Sequence, residues 1–181
     1  MTVLIIHESM FGNTKQIAEA IAEGMSKELE HGRPADGAPV VRLVSVADAP
    51  TQIPDDVHLL LVGGPTHAFS MSRETTRQDA VRQGGYAPAD LGIREWIEQV
   101  TPREGLRVVT FDTRVHVRML PGSAAKTAAS ALRHRGFHNA ERGESFWVGG
   151  TPGPLSHDEV VRARAWGAAL VGQFVGPTPA T

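Results

Sequence analysis

The sequence predicts an α/β protein: a three-layer, doubly wound sheet of five parallel strands with helices on both faces. Three observations lead there. Strand-like and helix-like segments alternate along nearly all of the 181 residues. The run "VHLLLVGG" (57–64) is the most uniformly apolar stretch, as expected of a central strand covered on both sides. No repeat or long linker divides the chain, so residues 1–175 read as one domain followed by a loose tail, 176–181.

The elements follow in order. "TVLIIHE" is a buried strand: four apolar residues, three of them β-branched, entering a turn. Residues 14–30 form a helix, with Ile17, Ile21, Met25 and Leu29 on one face. "HGRPADGAP" breaks it, and "VVRLVSV" (40–46) is the second strand. After the third strand, 57–64, the segment Pro65–Asp90 is the least regular. It holds a short helix near Ser72–Arg82 and then a loop, "QGGYAPAD". "DLGIREWIEQV" is a helix with Ile93, Trp96, Ile97 and Val100 on one face, and "LRVVTFDT" (106–113) is the fourth strand. An alanine-rich helix over 122–135 ends at Gly136, a residue suited to the left-handed C′ position. "ESFWVGG" is a short fifth strand. Ser156 and Glu159 have capping-box spacing and open the last helix, which runs to about Phe174.

Composition narrows the chemistry. There is no cysteine, which excludes disulfides, thiolate metal sites and thiol catalysis. A formal charge of −2 argues against binding driven by nucleic-acid phosphates. The apolar runs are too short for a signal segment or a membrane span, so the expectation is a soluble, cytoplasmic protein. Arginine outnumbers lysine fifteen to three, the usage of a GC-rich bacterial gene.

In doubly wound sheets ligands sit beyond the carboxyl ends of the strands. The segments to inspect are therefore 8–14, 64–72 and 111–119, with 149–155 as a fourth. In the first, Ser9, Gly12, Asn13 and Thr14 separate a buried strand from a helix N-terminus. Such a turn offers unpaired N–H groups and the positive end of the helix dipole, a cradle for a phosphate. The alternative is a plain turn in which Asn13 caps the helix. Two nucleotide motifs are absent. No G-x-G-x-x-G follows the first strand, and "LPGSAAKT" lacks the glycine a Walker loop needs before Lys126, so it reads as a helix start. Gly63 and Gly64 close the third strand where a phosphoacceptor receiver would carry aspartate.

Ser9-Met10-Phe11-Gly12-Asn13-Thr14 resembles the flavodoxin phosphate loop, T/S-x-T-G-x-T, and departs from it at Phe11, where a hydroxyl is lost. The spelling Ser-Met-aromatic-Gly is also similar to the flavodoxin-like NAD(P)H:quinone reductases of the tryptophan-repressor-binding-protein type. Gly64-Pro65-Thr66-His67-Ala68-Phe69-Ser70-Met71-Ser72 resembles the flavin loop of both families. The layout "TFDTRV", "AAKTAASALRHRGF" and "GPLSHDEVVRARAWGAAL" is similar to flavodoxin-domain proteins of actinobacteria, and the likeness covers residues 2–175.

The resemblance implies the strand order 2-1-3-4-5 and a bound flavin mononucleotide, FMN. Its phosphate would rest on Ser9, Met10, Phe11, Gly12, Asn13 and Thr14. Its ring would lie between Pro65, Thr66, His67, Ala68 and Phe69 on one side and Phe111, Asp112, Thr113 and Arg114 on the other. The Thr66 hydroxyl would contact the flavin, and the backbone of 111–114 would meet its pyrimidine edge. The Trp and Tyr that often sandwich the ring are missing, with His67, Phe69 and Phe111 as the substitutes in sequence.

Other candidates have plainer readings. Trp96, Trp147 and Trp166 read as core residues, Tyr86 as a surface-loop residue and His7 as a packed strand residue. His134 and His138 are helix-end cations, with no metal site implied. Asp112 and Arg114 have the spacing of a local ion pair. Arg73, Arg77, Arg114, Arg118, His67 and His116 face Glu74, Asp79 and Asp112 around the flavin loops, which predicts a carrier that is not of very low potential. No side chain is marked as a catalytic acid or base. The function classes are an electron carrier serving a redox partner protein, an FMN-dependent NAD(P)H oxidoreductase acting on a small acceptor such as a quinone, and a flavin-free partner-binding module.

Overall fold

A computed structural model of the chain describes residues 1–31, 40–116 and 122–175. The expected breaker over 32–39, the segment 117–121 with Arg118, and the tail 176–181 lie outside the described residues.

Strand β1 is Thr2–His7, helix α1 Asn13–His31, β2 Val40–Ser45, β3 Val57–His67, β4 Ser70–Met71, α2 Glu74–Arg82 and α3 Ile93–Gln99. Then follow β5 Arg107–Val115, α4 Ala124–Arg135, β6 Ala140–Val148 and α5 Glu159–Val175. The order β2-β1-β3-β5-β6 is all parallel, which is the predicted order 2-1-3-4-5 with β4 left aside. Strand β4 is an addition, pairing antiparallel with β3.

Alternation along each strand divides the core. Val3 and Ile5 of β1, Leu59 and Leu61 of β3, and Phe111 of β5 face α1 and α5, meeting Ile17, Ile21, Met25 and Leu170. Leu4, Ile6, Leu60, Val62 and Val108 face α3 and α4, meeting Ile93, Trp96, Ala128 and Leu132. Trp166 meets Phe111 and Phe146 edge-on, and the Trp96 indole N–H donates to the Pro50 carbonyl, so both tryptophans are structural as expected.

Helix ends follow the sequence with one correction. Ser123 caps α4, its hydroxyl accepting from the Lys126 N–H, and Gly136 ends that helix in the left-handed region at φ 112. The Ser156–Glu159 capping box is not made. The Ser156 N–H donates to the Trp147 carbonyl, and the Glu159 carboxylate accepts from the Trp147 N–H and pairs with Arg162. Pairing with the end of β6 outcompetes the local motif. Among the described residues no helix is long and apolar enough to cross a membrane.

Candidate functional site

The first strand delivers its carboxyl end, through Glu8–Gly12, to the N-terminus of α1. Gly12 has φ +89, which a side chain would strain. From Ser9 to Thr14 no backbone N–H has an acceptor among the described residues; the helical ladder starts with the Gln16 N–H on the Gly12 carbonyl. The buried Ser9 Oγ also has no partner among the described residues. The turn is held from two sides. The Asn13 amide donates to the Pro152 carbonyl at 3.2 Å, and the hydroxyls of Thr14 and Thr113 meet at 2.7 Å. Asn13 therefore fastens segment 149–155 to the loop instead of capping its own helix.

The second segment is not an open loop. Strand β3 continues to His67 and turns through Ala68 and Phe69, at φ 45 and 66, into β4. The Thr66 hydroxyl donates to Asp112 Oδ2 at 2.9 Å and accepts from the Ala124 N–H at 2.8 Å. Asp112 is fully buried, and the same oxygen accepts from the Ala125 N–H. These two side chains close the N-terminus of α4: the Thr66 hydroxyl and Asp112 Oδ2 are engaged in the fold, while Asp112 Oδ1 is buried without a hydrogen-bond partner among the described residues. The expected Asp112–Arg114 ion pair is absent, because Asp112 turns inward and the Arg114 guanidinium lies 5.7 Å from the Trp147 ring centroid. Replacing Asp112 with alanine strands the Thr66 hydroxyl and the Ala125 N–H. The expected loss is about 2 kcal/mol in a urea titration, with less than half of that for Asp112→Asn, which keeps an acceptor.

Between these segments runs a cleft at the sheet's carboxyl edge. It brings together Ser9, Met10, Phe11, Asn13, Thr14, Pro65, Thr66, His67, Thr113 and Arg114. Gly12 does not face it. Ala68 and Phe69 lie beyond it on the hairpin turn, and Asp112 is buried below it. Phe111 points into the core against Trp166 and is no ring partner. The cleft adds Val115, Val148 and Thr151; Val115 and Thr151 fall in segments marked by the sequence, and Val148 does not.

The cleft's volume is about 50 Å³, space for one or two water-sized groups and so of phosphate scale. A hollow of about 230 Å³ adjoins it through Thr66, His67 and Thr151, over Thr76 and Asp79 of α2. The larger hollow therefore lies on the α2 side of the hairpin. Burial, helped by the positive charge of Arg77, holds the His67 imidazole below its usual 6.5, so it is neutral at pH 7.

Two residues sit differently from their sequence readings, and a third makes a contact the sequence does not mark. Trp147 is half-buried, with Arg114 near one side and His116 edge-on at 4.8 Å, and is not a core residue. Arg77 has no exposed surface. It pairs with Glu95 at 3.0 Å and donates to Ser72 Oγ and the Ala89 carbonyl, so it is no part of a charged rim. Tyr86 is exposed, as expected, yet its N–H donates to the Met10 carbonyl, and its hydroxyl lies 2.8 Å from where a Cβ on Gly12 would stand. No local signal in the sequence joins Tyr86 to Gly12.

No protein-family model matches the sequence, and no curated protein sequence is significantly similar to it. Solved structures are. A flavodoxin from the domain Archaea matches at 16% identity and TM-score 0.60, over 98% of this chain and 100% of that one. Oxidised flavodoxin 1 of Bacillus cereus matches at 16% identity and TM-score 0.56, over 94% and 97%. Rubredoxin oxygen:oxidoreductase of Desulfovibrio gigas matches at 17% identity and TM-score 0.57; this chain covers 36% of its length. At such identities the likeness speaks for topology, and the topology agrees strand for strand: this chain has the flavodoxin-like fold.

Proposed function

We propose that this chain is an FMN-binding redox protein that carries electrons to a partner protein. One observation supports this most: the run of N–H groups from Ser9 to Thr14 without acceptors, beside the unpartnered Ser9 Oγ, at the N-terminus of a 19-residue helix. Such an array matches a dianionic phosphate in both hydrogen bonding and charge. Phe11 supplies no hydroxyl, so the backbone carries most of the recognition. Bound FMN would supply the redox chemistry. Thr14 and Thr113 fix the loop against β5, Asn13 ties it to segment 149–155, and neutral His67 borders the cleft without adding charge.

The cationic surroundings expected from the sequence shrink to Arg73, Arg114 and His116, since Arg77 is internal and Arg118 is outside the described residues. The expectation of a potential above that of acidic flavodoxins rests on these. The test of FMN binding is an absorbance spectrum after adding FMN and removing the excess. A retained, perturbed flavin band is expected, and a protein left colourless at high FMN overturns the reading. Gly12→Val should weaken FMN at least tenfold with an unchanged far-ultraviolet spectrum, because a β-branched residue at φ +89 distorts the N–H array. Anaerobic NADH or NADPH should leave the bound flavin oxidised; direct bleaching would replace the carrier with the oxidoreductase acting on a quinone-type acceptor.

A further inference from the structure

On the other side of the Ser9–Gly12 turn lies a second cavity, of about 530 Å³, between the ends of β1 and β2 and segment 86–91. It shares only Ser9 and Met10 with the cleft. Its size falls within the range of small-molecule sites, roughly 300–1,000 Å³. Leu43, Val46, Pro88 and Leu91 supply apolar lining, while Met10 and Tyr86 add a thioether and an aromatic ring.

His7, Glu8, Lys15 and Glu19 also line it. His7 is 8% exposed, and its Nδ1 is buried without a hydrogen-bond partner among the described residues. Buried polar atoms are nearly always paired, so the imidazole on the cavity wall keeps hydrogen-bonding capacity that the fold leaves unused. Glu8 is 3% exposed, with Oε2 accepting from the Ile93 N–H at 2.9 Å. Burial, helped by the charge of Lys15, keeps His7 neutral, and burial raises the Glu8 pKa against the lowering effects of Ser72, the Ile93 N–H and Arg77. Lys15 at the lip is 3.9 Å from Glu19, which offsets its charge. The cavity thus presents a neutral imidazole, with Lys15 and Glu19 offsetting each other at its lip, and an apolar lining in which a charged occupant would lose hydration.

We propose that this cavity binds a neutral aromatic compound carrying one hydroxyl or carbonyl oxygen, its ring against Leu43, Val46, Pro88 and Leu91 and its oxygen on the His7 imidazole. A flat ring suits the Met10 thioether and the Tyr86 ring. The imidazole, in either tautomer, can accept from a phenol or donate to a carbonyl. The inference is independent of the flavin reading, since its anchoring residues lie outside the cleft.

The test titrates the full chain, without FMN, with 1-naphthol, 1,4-naphthoquinone and naphthalene by isothermal calorimetry. Saturable one-to-one binding of at least one oxygenated compound is expected, at least tenfold tighter than naphthalene. Ala87→Trp, in the half-buried covering segment, should weaken it tenfold or more by filling the cavity. His7→Leu should bring the oxygenated compound down to the level of naphthalene, and Ala87→Trp still decides the matter if that β1 variant fails to fold. Absence of saturable binding, equal affinity for naphthalene, or an unchanged affinity in Ala87→Trp each overturns the proposal.

Discussion

Replacing Arg77 with methionine is expected to lower the unfolding free energy by about 3 kcal/mol, near the lower end of what breaking a buried ion pair costs. The guanidinium is fully buried and bridges three pieces of chain: Ser72 after β4, the Ala89 carbonyl in the segment covering the second cavity, and Glu95 in α3. The lower end applies because the Glu95 side chain is 28% exposed, so water softens the loss of its partner. Partial burial pushes the Glu95 carboxyl up, but the hydrogen bonds and charge of Arg77 and the Gly92 N–H outweigh it and leave the group below its ordinary value. Lysine should recover only part of the loss, since one ammonium cannot match the fixed fork that reaches all three partners. Urea unfolding of the two variants measures this. A loss under 1 kcal/mol for Arg77→Met would mean that the polar network contributes no more than apolar packing of the same volume.

Acid is expected to weaken the fold between pH 6.5 and about 4 through His7. Its buried imidazole, beside Lys15, has a pKa lowered from 6.5 to about 4. In that window the unfolded chain takes up a proton that the folded chain refuses, so stability falls as pH falls. About 2.5 pH units at 1.36 kcal/mol each correspond to about 3 kcal/mol, all of it lost by the time the folded-state pKa is passed. Glu8 acts in the opposite sense: burial raises its pKa, so the folded state gains a proton more readily and its contribution to stability grows as pH falls. Glu95, with its lowered pKa, loses its contribution only below the ordinary carboxylate range. The comparison that isolates His7 is therefore His7→Gln against the native chain. As pH falls from 6.5 toward 4 the native curve should drop by about 3 kcal/mol relative to that of the variant, and curves that stay parallel would show that His7 takes up its proton equally in both states.

Of the two side chains behind these predictions, His7 was legible as a packed strand residue, whereas nothing in the sequence marked Arg77 as internal. Elements were legible. Period-2 and period-3.6 patterns are carried by consecutive residues, so the strands beginning at Thr2, Val40 and Val57 and the helix with Ile17, Ile21, Met25 and Leu29 on one face could be read directly. Gly136 ended its helix as read, because a left-handed C′ position is a demand of local backbone geometry alone. The turn Ser9–Thr14 was marked for the same reason: it sits at a strand-to-helix junction whatever packs around it.

What the sequence determined, then, is the succession of elements, the division of each strand between two cores and the turn with its free N–H groups; the flavodoxin-like spelling added the strand order. What the tertiary structure decided is which partner each polar side chain takes. Thr66 and Asp112 stand 46 residues apart and meet because β3 and β5 are register neighbours, with Gly64 opposite Asp112. Glu159 leaves its local capping box because the end of β6 presents an N–H. Arg77 is internal because α2, α3 and segment 86–91 close around it, and Tyr86 reaches Gly12 because its backbone is tied to Met10. Periodicity is a property of neighbours along the chain. A buried donor or acceptor must instead find whatever the packed elements bring within about 3 Å, and that is settled only when the layers come together.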